Sequence, residues 1–258
     1  LGTLKLPDVT LVCVETREHE LARLAVEDCV RRVEFGDVLV LTDRPLDFFS
    51  LTYFCDPRII TVQDWPEKVG WSRSWWFDVP PLLKTANTLN IQWDSWVWQP
   101  EMWRDEFLKY DYVGAPWWYE DGKNVGNGGF CLRSTALSRY IADRRQKYPC
   151  DTAVDDDLLC RKYRAGLEGA GFVWAPEWIA RDFSYEGCGP PGHPNTAPPT
   201  KHFGFHAMFN WWSVLDRPGL IERTKIALKS KYITKSYIFR AFQGHPEFNS
   251  LMREIENG

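Results

Sequence analysis

A chain of 258 residues, 44% of them apolar and 15% aromatic, can bury a large core without disulfide or metal staples. Its formal charge of -4 gives no general field to draw it to nucleic acid or an anionic membrane, although a basic patch can still exist locally. No apolar run approaches the roughly 20 residues of a membrane span, and Leu1 to Thr10 lacks a signal peptide's charged start and apolar centre.

The first predicted strand is Val9 to Glu15, apolar and rich in β-branched residues, and the pattern Leu21, Leu24, Ala25, Cys29 predicts a helix after it. Val38 to Leu41 and Arg58 to Val62 read as further strands. Strands alternating with helices make an α/β domain with a mostly parallel central sheet flanked by helices. Ligands gather at the carboxyl ends of such strands, which nominates Glu15, Thr16, Arg17 and Asp43 for a nucleotide site. Neither G-x-G-x-x-G after the first strand nor G-x-x-x-x-G-K-[ST] is present, which argues against dinucleotide binding and P-loop chemistry.

The aromatic segment Trp71 to Leu83 runs into Pro80 and Pro81, which oppose a continuing helix. Thr88 to Trp98 reads as a buried strand with a polar break at Gln92 and Asp94. A short helix over Glu101 to Leu108 and strands at Tyr112 to Ala115 and Gly129 to Leu132 follow. Two more helices are expected over Ser134 to Lys147 and Asp155 to Ala170. Gly187 to Thr200 is too rich in Pro and Gly for regular structure and suits a long loop, a candidate cover for a site. The tail Ile221 to Arg240 is basic and amphipathic enough for one or two surface helices.

Seven Cys, an odd number without any C-x-x-C pair, fit a reducing compartment and so the cytoplasm. Because the chain opens on Leu1, an anchor ahead of it would point to a lumen instead. Fourteen Trp hint at carbohydrate, since indole faces stack on sugar rings, but a Trp-filled core explains them equally well.

Three clusters could carry chemistry. Asp94 ends a buried strand, where a carboxylate needs a partner, a cation or a cleft; a turn or cap aspartate is the plain alternative. Asn124, Asn127, Gly128 and Gly129 combine carboxamides with close backbone approach, although an Asn-Gly hairpin turn accounts for the glycines too. Asp155, Asp156 and Asp157 begin a helix; capping needs one or two of them, and a general base could be among the rest.

The ordered series IQWDSWVWQPEMW, YDYVGAPWW, NVGNGGFCLRS, DDDLLCRKY, FVWAPE and KHFGFHAMFN resembles domain-of-unknown-function family 5672, a set of glycosyltransferase-like proteins, from about Val9 to Asn210. The resemblance implies a Rossmann-like GT-A domain over residues 1–215, with a C-terminal helical extension over 216–258. It implies a nucleotide-sugar donor, UDP-sugar by default, and Mn²⁺ or Mg²⁺ held by Asp94, with His206 as a further ligand. Gln92 stands where the family's fold usually carries the first carboxylate of an Asp-x-Asp motif, which would weaken metal binding. Asp156 would be the catalytic base, Asp155 would hold acceptor hydroxyls, and Trp117, Trp118 and the Asn-Gly-Gly segment would face the sugars. Arg17 or Arg73 would stabilise the departing diphosphate. His202, in the same late segment, reads as structural.

The expected reaction is transfer of a sugar to a hydroxyl on a glycan, small molecule, lipid, protein or modified nucleic acid base, inverting if the hydroxyl attacks in line, with retention the alternative that site geometry decides. The competing readings are a non-catalytic glycan- or nucleotide-sugar-binding module, and a nucleotidyltransferase or glycoside hydrolase, which would also use paired carboxylates.

Overall fold

A computed structural model describes residues 3–44, 57–62, 68–151, 154–187 and 200–257. The expected loop Gly187 to Thr200 lies almost wholly outside these residues, as do Cys55 and Cys188.

Three strands make the centre of the main sheet; the second halves of the first two are buried on both faces and mostly apolar, and the third is buried throughout although three of its five residues are Asn or Thr. They are β1 (Leu4–Val14), β2 (Val33–Thr42) and β4 (Asn87–Ile91), with β3 (Arg58–Thr61) paired to β2. The order is β3-β2-β1-β4-β9-β6, where β6 is Tyr112–Val113 and β9 is Phe130–Ser134. Pairing is parallel from β3 to β4 and antiparallel at β9 and β6, so the sheet is mostly parallel as expected.

Successive side chains leave a strand on opposite faces, and the core divides accordingly. Leu11, Cys13, Val38, Val40, Leu89 and Ile91 enter one apolar cluster, while Val12, Val14, Leu39 and Leu41 enter the other. The first face is covered by α1 (His19–Arg32). The second is covered by the segment from α2 (Lys68–Arg73) to Leu83 and by α3 (Thr135–Ala142). Prolines 80 and 81 sit in a single tight turn, Pro80–Leu82, as their missing N–H groups require.

Gln92 and Asp94 end β4, and the chain re-enters extended structure at β5 (Trp96–Val97), so the polar break is a turn between two strands. The helix expected over Glu101 to Leu108 is instead two short tight turns, Pro100–Met102 and Asp105–Lys109. β7 (Ala115–Pro116) pairs with β8 (Val125–Gly126).

The helix expected from Asp155 is broken. After α4 (Asp155–Asp157) it widens into a π turn, with Tyr163 N–H bonded to Leu158 O at 2.9 Å, before α5 (Arg164–Glu168). Such widened turns often occur at functional sites. Then come α6 (Glu177–Phe183), β10 (Ser184–Tyr185) and β11 (Gly204–Phe205), the last two forming a small sheet with β5. The tail forms more helix than expected: α7 (Trp211–Val214), α8 (Arg217–Lys229), α9 (Lys235–Phe242) and α10 (Phe248–Asn257). Leu220, Ile238, Phe242 and Leu251 join the first core cluster, so these helices share their core with the sheet.

Most of the Trp excess fills this core. Trp96 and Trp211 are 1% and 0% exposed, and Trp75, Trp76, Trp117 and Trp174 are also buried.

Candidate active site

A cleft of about 610 Å³ opens at the carboxyl ends of β1 and β4, within the size range of small-ligand sites. Its walls come from the loop Glu15 to Glu18, the turn at Gln92 to Asp94, Gly128 and Gly129, the start of α4, and residues between Tyr232 and Arg240.

On the first wall, Glu15 Oε1 accepts backbone N–H bonds from Arg17 at 2.8 Å and Glu18 at 3.1 Å. Burial nevertheless pushes its carboxyl up to about 7, against those two donors. A group raised in this way contributes stability that is complete below its unfolded value of about 4.5 and is lost as pH rises through about 7. Glu15→Gln keeps the accepting oxygen and removes the buried charge. At pH 8 it should be more stable than the parent by up to about 3 kcal/mol, with no gain at pH 4. Urea unfolding at both pH values checks this; an equal gain at both would show that charge is not the cause.

At the floor, the Ser95 hydroxyl accepts the Gln92 N–H at 2.8 Å and donates to Gly129 O at 2.6 Å, tying the β4 turn to the glycine segment. Asp94 is 4% exposed, and its Oδ1 receives no hydrogen bond. His206 Nε2 stands 3.5 Å from that oxygen and 3.2 Å from Gln92 Oε1, while His206 Nδ1 lies 3.3 Å from Glu186 Oε1. Burial would lower the imidazole pKa, but the Asp94 and Glu186 carboxylates outweigh it and push it up to about 10.

The glycines are required by packing. A Cβ on Gly129 would come within 2.2 Å of the His206 ring, and one on Gly128 within 2.7 Å of Asp155 Oδ1. Asn127 takes a left-handed φ of 72°, its Oδ1 accepting the Gly129 N–H at 2.7 Å and its carbonyl accepting the Tyr112 hydroxyl at 2.7 Å.

The adjacent aspartates occupy different environments. Asp156 is half-buried; its Oδ2 accepts the Gly128 N–H at 2.8 Å and its Oδ1 the Asp157 N–H at 2.9 Å. Burial, with the charge of Asp155, pushes Asp156 up to about 7. Asp155 is 2% exposed and ion-paired to Arg133 at 2.6 Å; the guanidinium lies 5.2 Å from the Trp75 ring centre and 5.6 Å from that of Tyr112. Its Oδ2 is thus engaged with the core, whereas the sequence suggested a grip on acceptor hydroxyls. Asp157 is exposed, and the N-cap position of α4 is held by Val154, whose side chain makes no cap.

Of the residues nominated from sequence, Glu15, Thr16, Arg17, Gln92 and Asp94 meet Gly128, Gly129, Asp155, Asp156 and His206 in this cleft. The others lie off its lining. Asp43 is bonded to His19, and Arg73 projects into solvent from the end of α2. Trp117 is buried against Gly126, Trp118 stacks on Tyr119 at 5.3 Å, and Asn124 donates to Glu177. Asn127 shapes the turn from beneath, 1% exposed. His202 is bonded to the Arg181 carbonyl and lies near Tyr185, a structural setting.

Sequence reasoning missed Glu18, Tyr232, Tyr237 and Arg240. The Ser230 hydroxyl donates to Glu18 and accepts the N–H groups of Tyr232 and Ile233, both at 2.9 Å, which fastens the C-terminal wall to the β1–α1 loop. Arg17 lies 5.4 Å from the Tyr232 ring centre. Among the described residues Arg240 makes no ion pair, and it lines the cleft. Its only sequence signal was the basic, aromatic run KYITKSYIFR.

A divalent cation would have Asp94 Oδ1, Gln92 Oε1 and, once it displaces the Nε2 proton, His206 as its protein donors. The unbonded, buried Asp94 oxygen fits that use, and a mixed oxygen and imidazole set suits Mn²⁺ better than Mg²⁺. Among the described residues, no three His, Cys, Asp or Glu side chains form a metal-holding group by themselves. Phosphate oxygens of a ligand would have to complete the sphere.

The profile of the family described as "Protein of unknown function (DUF5672)" matches residues 76–206. No curated protein matches the chain. Solved structures with similar folds include the mannosyltransferase PcManGT from Pyrobaculum calidifontis in complex with GDP-Man and Mn²⁺, at 10% identity and TM-score 0.45, covering 68% of this chain and 57% of that one. An active-site mutant of LgtC matches at 13% identity and TM-score 0.49, covering 90% of this chain and 99% of that one. The apo-form glycosyltransferase GlyE of Streptococcus pneumoniae TIGR4 matches at 13% identity and TM-score 0.42, over 80% of this chain and 56% of that one. The chain thus spans little more than half the length of the first and third of these structures.

Proposed function

This chain belongs to the family DUF5672, and from that premise we propose that it transfers a sugar from a nucleotide-sugar donor to an acceptor hydroxyl, with Asp156 as the base. One observation carries the reading. A half-buried carboxylate held by two backbone N–H bonds, with a pKa near neutrality, shares a cleft with Asp94, His206 and Gln92 and with the cations Arg17 and Arg240.

In the proposed step the acceptor oxygen attacks the anomeric carbon as its proton passes to the Asp156 carboxylate. The bond from that carbon to the diphosphate oxygen breaks, and nucleoside diphosphate leaves with the bonding pair. Attack from the face opposite the leaving group inverts the centre. Arg240 replaces Arg73 as the cation beside Arg17 that would face the diphosphate, since Arg73 lies off the cleft. A divalent ion, when bound, would neutralise charge developing on that leaving group.

Gln92 in place of a carboxylate supports a second reading, a nucleotide-sugar-binding module without turnover. A panel of UDP-sugars and GDP-mannose, assayed with Mn²⁺ for release of nucleoside diphosphate, separates the two; stabilisation by donor without any release favours the module.

Asp94→Ala should abolish the Mn²⁺-dependent part of nucleoside diphosphate binding. A ligand at a hundred times its dissociation constant stabilises by about 2.7 kcal/mol, so thermal shift detects the loss readily. An unchanged Mn²⁺-dependent shift would make Asp94 a purely structural turn residue.

A further inference from the structure

The basic tail has a role to find beyond the one side it gives to the cleft. Between Arg223 and Pro246 the sequence holds six Lys and Arg residues and no Asp or Glu, in a chain whose formal charge is -4. Arg223 turns inward to Asp28, but Lys229, Lys231, Lys235 and Arg240 are exposed. Lys229 and Lys235 make no ion pair among the described residues.

Apolar groups share this surface. In α9, Ile238 and Phe242 face the core, while Lys235 and Phe239, one turn apart, face out, with Phe239 48% exposed. Tyr232 is 41% exposed on the turn before α9, and Phe209, 38% exposed, lies on the turn Met208–Asn210 that packs against α9. Lysines interleaved with outward aromatic rings on a short surface helix are the composition that binds the interface of an anionic bilayer. The cations are mostly lysines, point charges without Arg's planar fork, which suits a field of headgroups better than a readout of individual phosphates.

We propose that the face formed by the end of α8, the turn Ser230 to Thr234 and α9 docks on an anionic lipid surface. Tyr232 and Arg240 belong to both this face and the cleft, so docking brings the cleft mouth to the membrane. On the transfer reading proposed above, the acceptor is then a hydroxyl borne by a molecule in that membrane.

The test is co-sedimentation of the whole chain with phosphatidylcholine vesicles, with and without phosphatidylglycerol. Binding should require phosphatidylglycerol and weaken as salt is raised. A lysine near such a surface contributes roughly five-fold in affinity, so Lys229→Glu with Lys235→Glu should reduce binding by about twenty-five-fold or more. Phe239→Ser should also weaken it. Lys229 and Lys235 are exposed and off the cleft lining, so the thermal midpoint and any nucleotide binding should not change in the lysine pair variant. Phe239 is off the lining too but packs edge-on against Phe248 at 5.0 Å, so its variant is compared with the parent at a temperature where both are folded. Equal binding to both vesicle types, no binding, or insensitivity to the lysine pair would overturn the proposal. So would a single-stranded RNA oligonucleotide that binds through the same lysines more tightly than the vesicles do. None of these readouts needs sugar transfer, so docking and the transfer reading can fail independently.

Discussion

Asp156→Asn is expected to lower turnover by about 10²–10⁴ while donor affinity stays near the parental value. The carboxamide keeps nearly the same volume and one oxygen to accept the Gly128 N–H, but it cannot take a proton. The pH dependence tests the assignment separately. With its pKa raised to about 7 by burial and by Asp155, the base form grows as pH rises, so the parental rate should climb through about pH 7 and level off above it. That limb should vanish in the variant. Misfolding is an unattractive alternative explanation, because the raised pKa means the charged form costs the folded state stability above pH 7, and the substitution removes that cost. Asp157→Asn should leave the rate nearly unchanged, since Asp157 is exposed. A fully active Asp156→Asn enzyme would refute the base assignment.

Arg133→Met should destabilise the fold by about 3–5 kcal/mol, because it strands the Asp155 carboxylate in a site that is 2% exposed. For a domain of this size that corresponds to a fall in thermal midpoint on the order of 10 °C. The Arg133 guanidinium also receives the faces of Trp75 and Tyr112 and donates to Cys131 Sγ at 3.1 Å, so part of the loss is packing. A double-mutant cycle with Asp155→Asn separates the two contributions. If charge dominates, the double variant regains more than half of the loss. A loss below about 1 kcal/mol for Arg133→Met would show that the pair is solvated and the buried scaffold beneath Asp156 is looser than the geometry implies.

What the sequence by itself determined is whatever rests on local periodicity. β1 and β2 are legible because their second halves, buried on both faces, read as continuous apolar runs, and α1 because its buried residues recur at helical spacing. β4 was legible only as the start of one longer strand, Thr88 to Trp98, which the turn at Gln92 to Asp94 divides. The family was legible from the order of its motifs, Asp94 as a candidate from a carboxylate at the end of a buried strand, and Asp156 as a candidate from a run of aspartates longer than helix capping needs together with the family resemblance. Only the tertiary structure decided which of these residues meet. Two adjacent aspartates look alike in a sequence; Arg133 on a neighbouring strand draws Asp155 inward, and the Gly128 N–H holds Asp156 toward the cleft. Trp117 reads as a sugar platform until Gly126 is found beneath its ring. The C-terminal wall was out of reach for the same reason: Ser230 and Glu18 are 212 residues apart, and no local pattern reports a hydrogen bond that exists only because the helices after β11 fold back onto the first loop.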